Sequence, residues 1–427
     1  MLKIMKDSGT IWLGLIPEHW TLSKISNVYE LRMQKVSDRN SPPLSVTMNG
    51  IVPQLESVAK TNAHDDRKLV KKGDFVINSR SDRRGSCGVS DYEGSVSLIN
   101  TVMKPRDKMN PKYYNWLFHT VQFADEFYKW GHGIVDDLWT TNWKDMKHID
   151  IPLPPLKEQI EIADFLDTKC NEIDSLADNI QSQITTLEEC KKSIISETVT
   201  KGLNPNVDMK NSGIEGVKEI PSHWQVKRAK YICKSLFKGN GITKDDIKND
   251  GDICCIRYGE IYSKYNGAVT APTTSTNVSL VSSPKHIKKG DLLFAGTGEL
   301  IEEIGKNIVY MGNAPCLAGG DIIIMRHSQN PIFLNYTMNS VLTQIQKSKG
   351  KAKLKVVHIS ATDIGNLFVA IPPLEEQQQI ADYLDSKCSE IDAIIQTKKE
   401  QLEVLAEYKK SLIYEYVTGK KEVPVSE

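Results

Sequence analysis

The chain has 427 residues, enough for two to four domains, and its 40% hydrophobic and 25% charged residues are typical of a folded globular protein. No stretch approaches the roughly eighteen consecutive apolar residues of a membrane-spanning helix, and the N-terminus lacks the apolar core of a secretion signal, so we expect a cytoplasmic protein without membrane contact. The formal net charge is zero, which by itself argues against a nucleic-acid partner.

The eight cysteines include no Cys-x-x-Cys pair and no matching Cys/His spacing. Structural zinc sites depend on such spacings. We therefore predict free thiols and no metal site.

The first globular segment begins with IPEHW (16–20) and concentrates positive charge near its middle. Residues 67–84 have a net charge of +5, and the stretch RSDRRGSCG (80–88) is typical of a loop that can approach a DNA groove. Arginine presents the paired donors that read guanine, whereas lysine mostly meets phosphate. The candidates for DNA contact are Lys71, Lys72, Arg80, Arg83 and Arg84. We predict that the three arginines read bases and that the lysines contact phosphates.

Two short motifs allow an enzymatic interpretation. The sequences NPKY (110–113) and NPIF (330–333) are similar to the Asn-Pro-Pro-aromatic clamp of adenine methyltransferases, and FAGTG (294–298) is similar to a cofactor-binding glycine turn. The second proline of the clamp is missing in both copies. Asn followed by Pro is also a common helix start, and we favour that interpretation. With no Walker A loop and no Ser/His/Asp set, the sequence predicts no catalytic site.

The segment 154–202 starts with PPLKEQIEIADFLD and is predicted to be one long helix, because paired prolines suit a helix start and prevent its extension backwards. Its apolar residues alternate in steps of four and three, with Lys191 as an interruption. This period of 3.5 residues indicates a coiled-coil seam. The seam residues are Ile173, Ala177, Ile180, Ile184, Leu187 and Ile194.

The same plan recurs further along the chain. PPLEEQQQIADYLD starts at residue 372, and 25 of the 47 positions in 154–200 match their counterparts 218 residues later. IPEHW (16–20) returns as IPSHW (220–224), and LVKKGDFV (69–76) resembles HIKKGDLLF (286–294). The second helix is predicted over 372–420, interrupted by Lys398 and Lys409, with the seam Ile391, Ile395, Leu402, Leu405, Leu412 and Tyr416.

The second globular segment has its own candidates for DNA contact. Lysines alternate around Gly350 without an acidic neighbour, a pattern that suits positioning of the DNA backbone. Arg257 lies in the aromatic and polar stretch RYGEIY (257–262), and two lysines occupy the place of Lys71 and Lys72 in the repeat. These candidates are Arg257, Lys288, Lys289, Lys347, Lys349, Lys351, Lys353 and Lys355.

Charge is divided unevenly along the chain. Residues 156–201 have a net charge of −5 and residues 374–420 one of −4, so the remainder carries +9. Phosphate binding needs positive charge, and the globular segments contain it. The neutral total therefore does not exclude DNA.

We predict a mixed fold (α/β, α+β) in which two globular domains alternate with two long helices. Two equivalent domain-plus-helix units in one chain are expected to be related by a pseudo-twofold axis. The predicted divisions are a first globular domain (1–153), a first helix (154–202), a linker with the second globular domain (203–371), a second helix (372–420) and a tail (421–427).

The IPxHW motifs, the PPLxEQxxIAxxLD helix starts and the order of segments resemble the specificity subunit of type I restriction-modification enzymes, over nearly the whole chain. The resemblance implies that each globular domain is a target recognition domain for one half of a bipartite double-stranded DNA target. It also implies that the helices pack as an antiparallel coiled coil that sets the spacing between the halves. Because the two domains differ in sequence, we expect an asymmetric target.

The resemblance further implies that partner subunits perform the chemistry. Two modification subunits would methylate adenine with S-adenosylmethionine, and two restriction subunits would add ATP- and Mg-dependent translocation and cleavage, with no cofactor on this chain. We place the modification-subunit contacts on exposed helix faces and near the helix starts, at Pro154, Pro155, Leu156, Glu158, Gln159, Pro372, Pro373, Leu374, Glu376 and Gln377.

Two other functions stay open from the sequence. A free-standing, duplicated adenine methyltransferase would bind its cofactor without a partner. A coiled-coil adaptor unrelated to DNA would show no salt-dependent DNA affinity.

Overall fold

The computed structural model describes residues 4–55, 64–80, 83–134, 139–248, 250–351 and 357–424. The chain forms two units, one made of Met1–Gln181 with Lys399–Glu427 and the other of Ser182–Lys398. The boundaries between these units fall inside the two long helices. Each unit therefore contains one globular domain, the first part of the long helix that follows it and the last part of the other long helix.

Unit 1 combines short strands and short helices with the first part of one long helix and the last part of the other. The mixed composition predicted from the sequence is confirmed here and in unit 2. In chain order, its elements are β1 (Met5–Asp7), β2 (Leu15–Pro17), β3 (Thr21–Lys24), α1 (Ile25–Val28), β4 (Tyr29–Leu31), β5 (Lys35–Val36), β6 (Leu44–Thr47), β7 (Gly50–Pro53), β8 (Arg67–Val70), β9 (Phe75–Asn78), β10 (Cys87–Val89), β11 (Gly94–Val96), β12 (Asn100–Pro105), α2 (Pro111–Phe118), α3 (Val121–Lys129), α4 (Trp143–Met146), β13 (Asp150–Leu153) and α5 (Leu156–Lys201).

The centre of the first globular domain is an antiparallel sheet with the strand order β10–β9–β12–β4. Strand β9 is a mostly buried apolar run, and the first four residues of β12 are buried as well. Helices α2 and α3 contribute aromatic side chains to the same core. Helix α2 starts at Pro111, where the side chain of Asn110 accepts a hydrogen bond from Lys112 N at 2.8 Å. The helix-start interpretation of NPKY is thereby confirmed.

Unit 2 repeats this plan with additional strands. In chain order, its elements after α5 are β14 (Met209–Ile214), β15 (Val217–Pro221), β16 (Gln225–Arg228), α6 (Ala229–Ile232), β17 (Cys233–Lys238), β18 (Ile247–Lys248), β19 (Ile253–Ile256), α7 (Tyr258–Ser263), β20 (Ala268–Val269), β21 (Ser275–Thr276), β22 (His286–Ile287), β23 (Leu292–Ala295), β24 (Thr297–Gly298), β25 (Asn307–Tyr310), β26 (Cys316–Ala318), β27 (Ile322–His327), α8 (Pro331–Asn339), α9 (Val341–Ser348), β28 (Val357–His358), α10 (Ala361–Asn366), β29 (Phe368–Ile371) and α11 (Leu374–Val417), with 3-10 turns at Val278–Leu280 and Ile301–Glu303.

Its central sheet has the order β17–β27–β23–β25–β20, so β23, β25 and β27 occupy the places of β9, β10 and β12. A second five-stranded sheet, β18–β21–β19–β26–β22, stands where the first domain has smaller sheets. Helix α8 starts at Pro331 behind the N-cap Asn330, as α2 does in unit 1. The FAGTG stretch contributes the buried end of β23 and the short strand β24.

Both long helices start directly after their paired prolines and carry the predicted seam on buried or half-buried positions. Within unit 1, Lys409 on α11 lies 2.6 Å from Asp174 on α5. Within unit 2, Lys191 on α5 lies 2.6 Å from Asp392 on α11, and Lys398 contacts Gln183. The lysines that interrupt the apolar pattern therefore keep their amines in polar contacts at the edge of the seam.

Each long helix is followed by a glycine with a positive φ that meets the tryptophan of an IPxHW motif. Gly202 has φ +74° and Gly419 has φ +69°. A Cβ atom at Gly202 would lie 3.2 Å from the ring of Trp224, and one at Gly419 would lie 2.6 Å from Pro17 and 2.8 Å from Trp20. These contacts place each helix end against a globular domain of the same unit.

None of the helices in the described part of the chain is both long enough and apolar enough to span a membrane.

We expect Gly419→Ala to destabilise unit 1 more than a control glycine substitution does. Both replacements force a left-handed backbone conformation on alanine, which costs about 1–2 kcal/mol. Gly14, with φ +63° and open space where a Cβ would lie, is the matched control. Gly419→Ala adds the clash with Pro17 and Trp20, so its loss in urea unfolding should exceed that of Gly14→Ala at least twofold. Equal losses would contradict the packing role.

Candidate nucleic-acid interface and helix junctions

The first turn of each long helix is bonded to the IPxHW motif of its own unit. The Glu158 carboxylate accepts a hydrogen bond from Trp20 Nε1 at 2.8 Å and lies 2.7 Å from His19 Nε2. Glu376 makes the corresponding contacts with Trp224 and His223, at 3.0 and 2.9 Å. A carboxylate near a helix N-terminus is also favoured by the exposed N–H groups there.

The next residue of each helix holds the start of the helix that covers the sheet. Gln159 Oε1 accepts from Asn110 N at 2.9 Å, and its amide donates to Pro154 O at 2.8 Å. Gln377 bonds Asn330 N and Pro372 O in the same way, both at 2.9 Å. We call the contacts of Glu158 and Gln159 the first helix junction and those of Glu376 and Gln377 the second.

The junctions correct part of the predicted partner surface. Gln159 and Gln377 are each 1% exposed, and Pro154 and Pro372 are buried as well, so these four cannot meet a modification subunit. The side-chain amides of Gln159 and Gln377 form hydrogen bonds inside the chain, which the sequence pattern did not reveal. Glu158 and Glu376 are half-buried and engaged by Trp and His. The exposed members of the predicted set are Pro155, Leu156, Pro373 and Leu374.

Two exposed lysines stand on the same tight turn in each globular domain, before β9 and before β23. In the first turn, Asp74 Oδ2 accepts from Lys71 N at 2.8 Å, and in the second, Asp291 Oδ2 accepts from Lys288 N at 2.8 Å. Lys71, Lys72, Lys288 and Lys289 all point to solvent. The prediction that the repeat places these lysines equivalently is confirmed; their contact with DNA stays a prediction.

The buried aspartate of each turn is paired with an arginine from a different strand position. The Asp74 carboxylate accepts hydrogen bonds from Arg32 Nε and Nη2 at 2.6 and 2.8 Å, and Arg32 is the residue after β4. The Asp291 carboxylate accepts a hydrogen bond from Nε of Arg326, a residue of β27, at 3.1 Å. Arg326 also lies over the ring of Phe237, which occupies the strand place of Arg32. The sequence comparison did not predict these pairs, because the arginines are not at matching positions.

The loop between β9 and β10 carries Arg80, Arg83 and Arg84, all exposed. Arg84 forms an ion pair with Asp125 on α3 and lies 4.8 Å from the ring centre of Tyr128. Arg80 bridges to Thr140 through the backbone. The three predicted base-reading arginines are thus exposed on one loop, which Arg84 joins to α3.

The alternating lysines of the second domain do not form one surface. Helix α9 continues to Ser348, so Lys347 lies inside a helix and Lys349 just beyond it. Lys349 is exposed and pairs with Glu215, while Lys351 is half-buried and lies 2.9 Å from Asp363. Lys353 and Lys355 lie outside the described residues.

The prediction that Lys347 contacts DNA is wrong, because the residue is only 2% exposed. Its amine donates to Gly305 O at 2.7 Å and to Met338 O at 2.6 Å, and lies 5.5 Å from the ring centre of Phe294. In the first domain the same helix position holds Phe127. The sequence signal for burial was therefore the repeat itself, which aligns this lysine with an aromatic core residue.

Arg257 is half-buried and caps α7. Its backbone N–H donates to the buried Glu260 carboxylate at 2.9 Å, and its Nε lies 4.0 Å from the same group. Burial acts to raise the pKa of Glu260, but hydrogen bonds from Thr274, Arg257 N and Lys264 lower it below its usual value. The ionised carboxylate therefore holds the segment that presents Arg257 and the exposed Tyr258.

Metal binding finds no support in the described ranges, where no group of three or more His, Cys, Asp or Glu side chains is placed to hold an ion.

Comparison with known families gives two matches along the chain. Residues 17–186 and 221–404 both match the family model for the type I restriction modification DNA specificity domain. Each match begins at the proline of an IPxHW motif and ends inside a long helix. The chain belongs to this family. The resemblance seen in the sequence motifs is confirmed.

Three relatives of this chain are type I restriction enzyme specificity subunits, and the alignment with the first spans nearly the whole length of both chains. It is 25% identical to the protein assigned as the type I restriction enzyme MjaX specificity subunit of Methanocaldococcus jannaschii, over 96% of this chain and 95% of that one. It is 27% identical to the MjaVIII specificity subunit of the same organism, over 77% and 74%. It is also 25% identical to the EcoBI specificity subunit of Escherichia coli, over 57% and 52%.

Two solved structures share the fold of this specificity chain. One comes from work on complex assembly and conformational transition of the type I R-M system, with a TM-score of 0.72 and 16% identity, over 95% of this chain and 99% of that one. The other is the HsdS subunit from Thermoanaerobacter tengcongensis, with a TM-score of 0.52 and 17% identity, over 95% and 98%.

We expect Gln159→Leu to loosen the first helix junction. The change leaves the half-buried Asn110 N–H and the buried Pro154 carbonyl without the Gln159 amide, which together costs about 3 kcal/mol in the free energy of unfolding. Lys157→Leu is the matched control, because its side chain is 87% exposed on the same helix turn. A loss in Gln159→Leu no larger than that of the control would show that the amide is dispensable.

The stability of unit 2 should depend on pH through Lys347. Burial lowers its pKa to about 7, whereas an unfolded lysine titrates near about 10.4. Between these values the unfolded chain holds a proton that the folded chain has released. The free energy of unfolding therefore rises with pH across this interval, at up to about 1.4 kcal/mol per pH unit.

Lys347→Met removes this titration. Urea unfolding of the two proteins between about pH 7 and pH 9.5 should give a steeper rise for the unsubstituted chain. Parallel curves for the two proteins would contradict the lowered pKa.

Proposed function

We propose that this specificity chain reads both halves of an asymmetric bipartite DNA target for a type I restriction-modification complex, each globular domain binding one half. The observation that carries the proposal is the duplication of a whole unit. Each copy contains a basic turn, a globular domain that differs from its counterpart and a helix junction that does not. A palindromic target would not need two different domains.

The proposed DNA contacts are the exposed cations of the two domains. Lys71 and Lys72 on one turn, with Lys288 and Lys289 on the other, suit phosphates because they are solvated and equivalent in position. Exposed arginines suit bases, since they can donate two hydrogen bonds to one guanine. The proposed base-reading residues are the exposed Arg80, Arg83 and Arg84, together with Arg257, which is half-buried.

We also propose that the two long helices form an antiparallel coiled coil that acts as a spacer. Asp174–Lys409 in unit 1 and Lys191–Asp392 in unit 2 are the same pair of repeat positions, because both partners differ by 218 residues. A polar residue within a seam favours one register over others, since any shift leaves it unpaired. The helix junctions would transmit this fixed register to both domains.

The chemistry is proposed to belong to partner subunits. Pro155, Leu156, Pro373 and Leu374 are exposed at the helix starts and are the proposed contacts of two modification subunits, which would carry S-adenosylmethionine. Two restriction subunits would supply ATP- and Mg-dependent translocation and cleavage. The chain itself would contribute recognition and spacing without a catalytic step.

Exchange of one globular domain tests the division of labour. Residues 25–149 should be replaced by the corresponding segment of a relative, because this keeps the β3–β13 pair that closes the domain beside its helix junction. A second chain should exchange residues 229–367, which keeps the equivalent β16–β29 pair. Each is expressed with the modification subunit, and adenine methylation is mapped across the host genome.

Each exchange should change one half of the methylated motif and leave the other half and the spacing intact. A motif that changes in both halves, a continuous motif, or methylation that does not depend on this chain would overturn the proposal.

A further inference from the structure

Equivalent loops in the two globular domains have opposite chemistry. The β9–β10 loop (residues 79–86) and the β23–β25 loop (residues 296–306) join equivalent strands, because Cys87 pairs with Ile77 as Asn307 pairs with Phe294. The first loop carries three exposed arginines. The second presents Glu299, Leu300 and Glu303, all exposed. Two loops at the same place that differ this much fit domains that read different bases.

Helix α3 holds the first loop through surface side chains. Asp125 pairs with Arg84, and Tyr128 lies under the same guanidinium at 4.8 Å. Two inward positions of this helix turn are Ala124, which is half-buried, and Phe127, which is buried, and neither has a side-chain donor. The first loop is therefore held by the outer side of its helix.

Helix α9 holds the second loop through those same inward positions. Gln344, in the place of Ala124, donates to Ile304 O at 3.0 Å and to Ile301 O at 3.4 Å. Lys347, in the place of Phe127, donates to Gly305 O at 2.7 Å. Three carbonyl groups of the loop backbone, those of Ile301, Ile304 and Gly305, thus accept hydrogen bonds from two side chains of one helix.

The opposite side of the second loop rests on α7. Tyr262 Oη lies 3.4 Å from Glu303 O, and Lys306 Nζ lies 5.9 Å from the centre of the Tyr262 ring. Gly298 passes so close that a Cβ atom would lie 2.8 Å from Tyr262 Oη. Since α7 begins next to Arg257, the loop and this arginine are held in one fixed arrangement.

We propose that Gln344 and Lys347 are positioning residues for base recognition by the second globular domain, acting through the β23–β25 loop. This inference rests on the proposed function. Carboxylates accept hydrogen bonds from the exocyclic amines of cytosine and adenine, and an apolar side chain suits the thymine methyl group. Glu299, Glu303 and Leu300 supply these groups, and the buried contacts of α9 keep them in place without touching DNA themselves.

The test uses the full chain with its modification subunit and DNA duplexes that carry the motif mapped for the unsubstituted chain. Methylation rates are measured for duplexes with each single-base change in each half. Gln344→Ala introduces the residue that the first domain has at this position. We expect discrimination at one or more positions of the second half to fall about fivefold, as the loss of two backbone hydrogen bonds implies, while discrimination in the first half stays unchanged.

Gln346→Ala is the matched control. Gln346 is a glutamine on the same helix with two backbone hydrogen bonds, but both are to Phe368 at the start of β29 and none to the loop. It should leave the base preferences of both halves unchanged. A loss of discrimination equal to that of Gln344→Ala would overturn the inference, because the effect would then follow from general loosening of α9.

Lys347→Met is a second test variant. Both it and Gln344→Ala are measured only if their thermal unfolding is still cooperative, which shows that they fold. Lys347→Met should relax the same positions of the second half as Gln344→Ala does. Unchanged discrimination in both folded variants would overturn the inference and leave the proposed function standing. Methylation by the unsubstituted chain that ignores sequence would overturn the proposed function itself.

Discussion

The first turn of each long helix fixes the geometry of its unit, because a glutamate and a glutamine there bond to residues distant in the chain. Glu158 binds the side chains of the IPEHW motif, and Gln159 binds the backbone at the start of α2. The bonds to Trp20 Nε1 and Asn110 N are partly buried, and a partly buried donor that loses its partner costs free energy. Rotation of the domain on its helix would break these hydrogen bonds, and the same holds for Glu376 and Gln377 in unit 2.

Much of the fold could be predicted because it depends on periodicity and on short-range chemistry. The helix starts followed from paired prolines, the seam from the 3.5-residue period, and the N-caps from Asn followed by Pro. The repeated motifs indicated the family to which the chain belongs. These signals are local, so a single sequence carries them in full.

Burial of individual polar residues was not evident from local patterns, although for Lys347 the alignment of the repeat with Phe127 carries a signal. Lys347 looked like one of five equivalent lysines, but α9 extends through it and turns its side chain to the core, where main-chain carbonyls satisfy the amine. Gln159 and Gln377 looked like surface residues of an amphipathic helix, yet they complete hydrogen bonds across the junction. In each case the deciding partner is a backbone group remote in sequence, which residue identity does not specify.

The two domains also differ in how they pair the buried aspartate of the lysine turn. In the first domain Arg32, the residue after β4, donates to Asp74. In the second, Arg326 on β27 donates to Asp291 and lies over the ring of Phe237. Two different strand positions can therefore supply the guanidinium that pairs with this buried carboxylate. The turn that carries the lysines thus needs an arginine nearby but does not fix which strand provides it, which leaves the neighbouring strand positions free to differ between the domains.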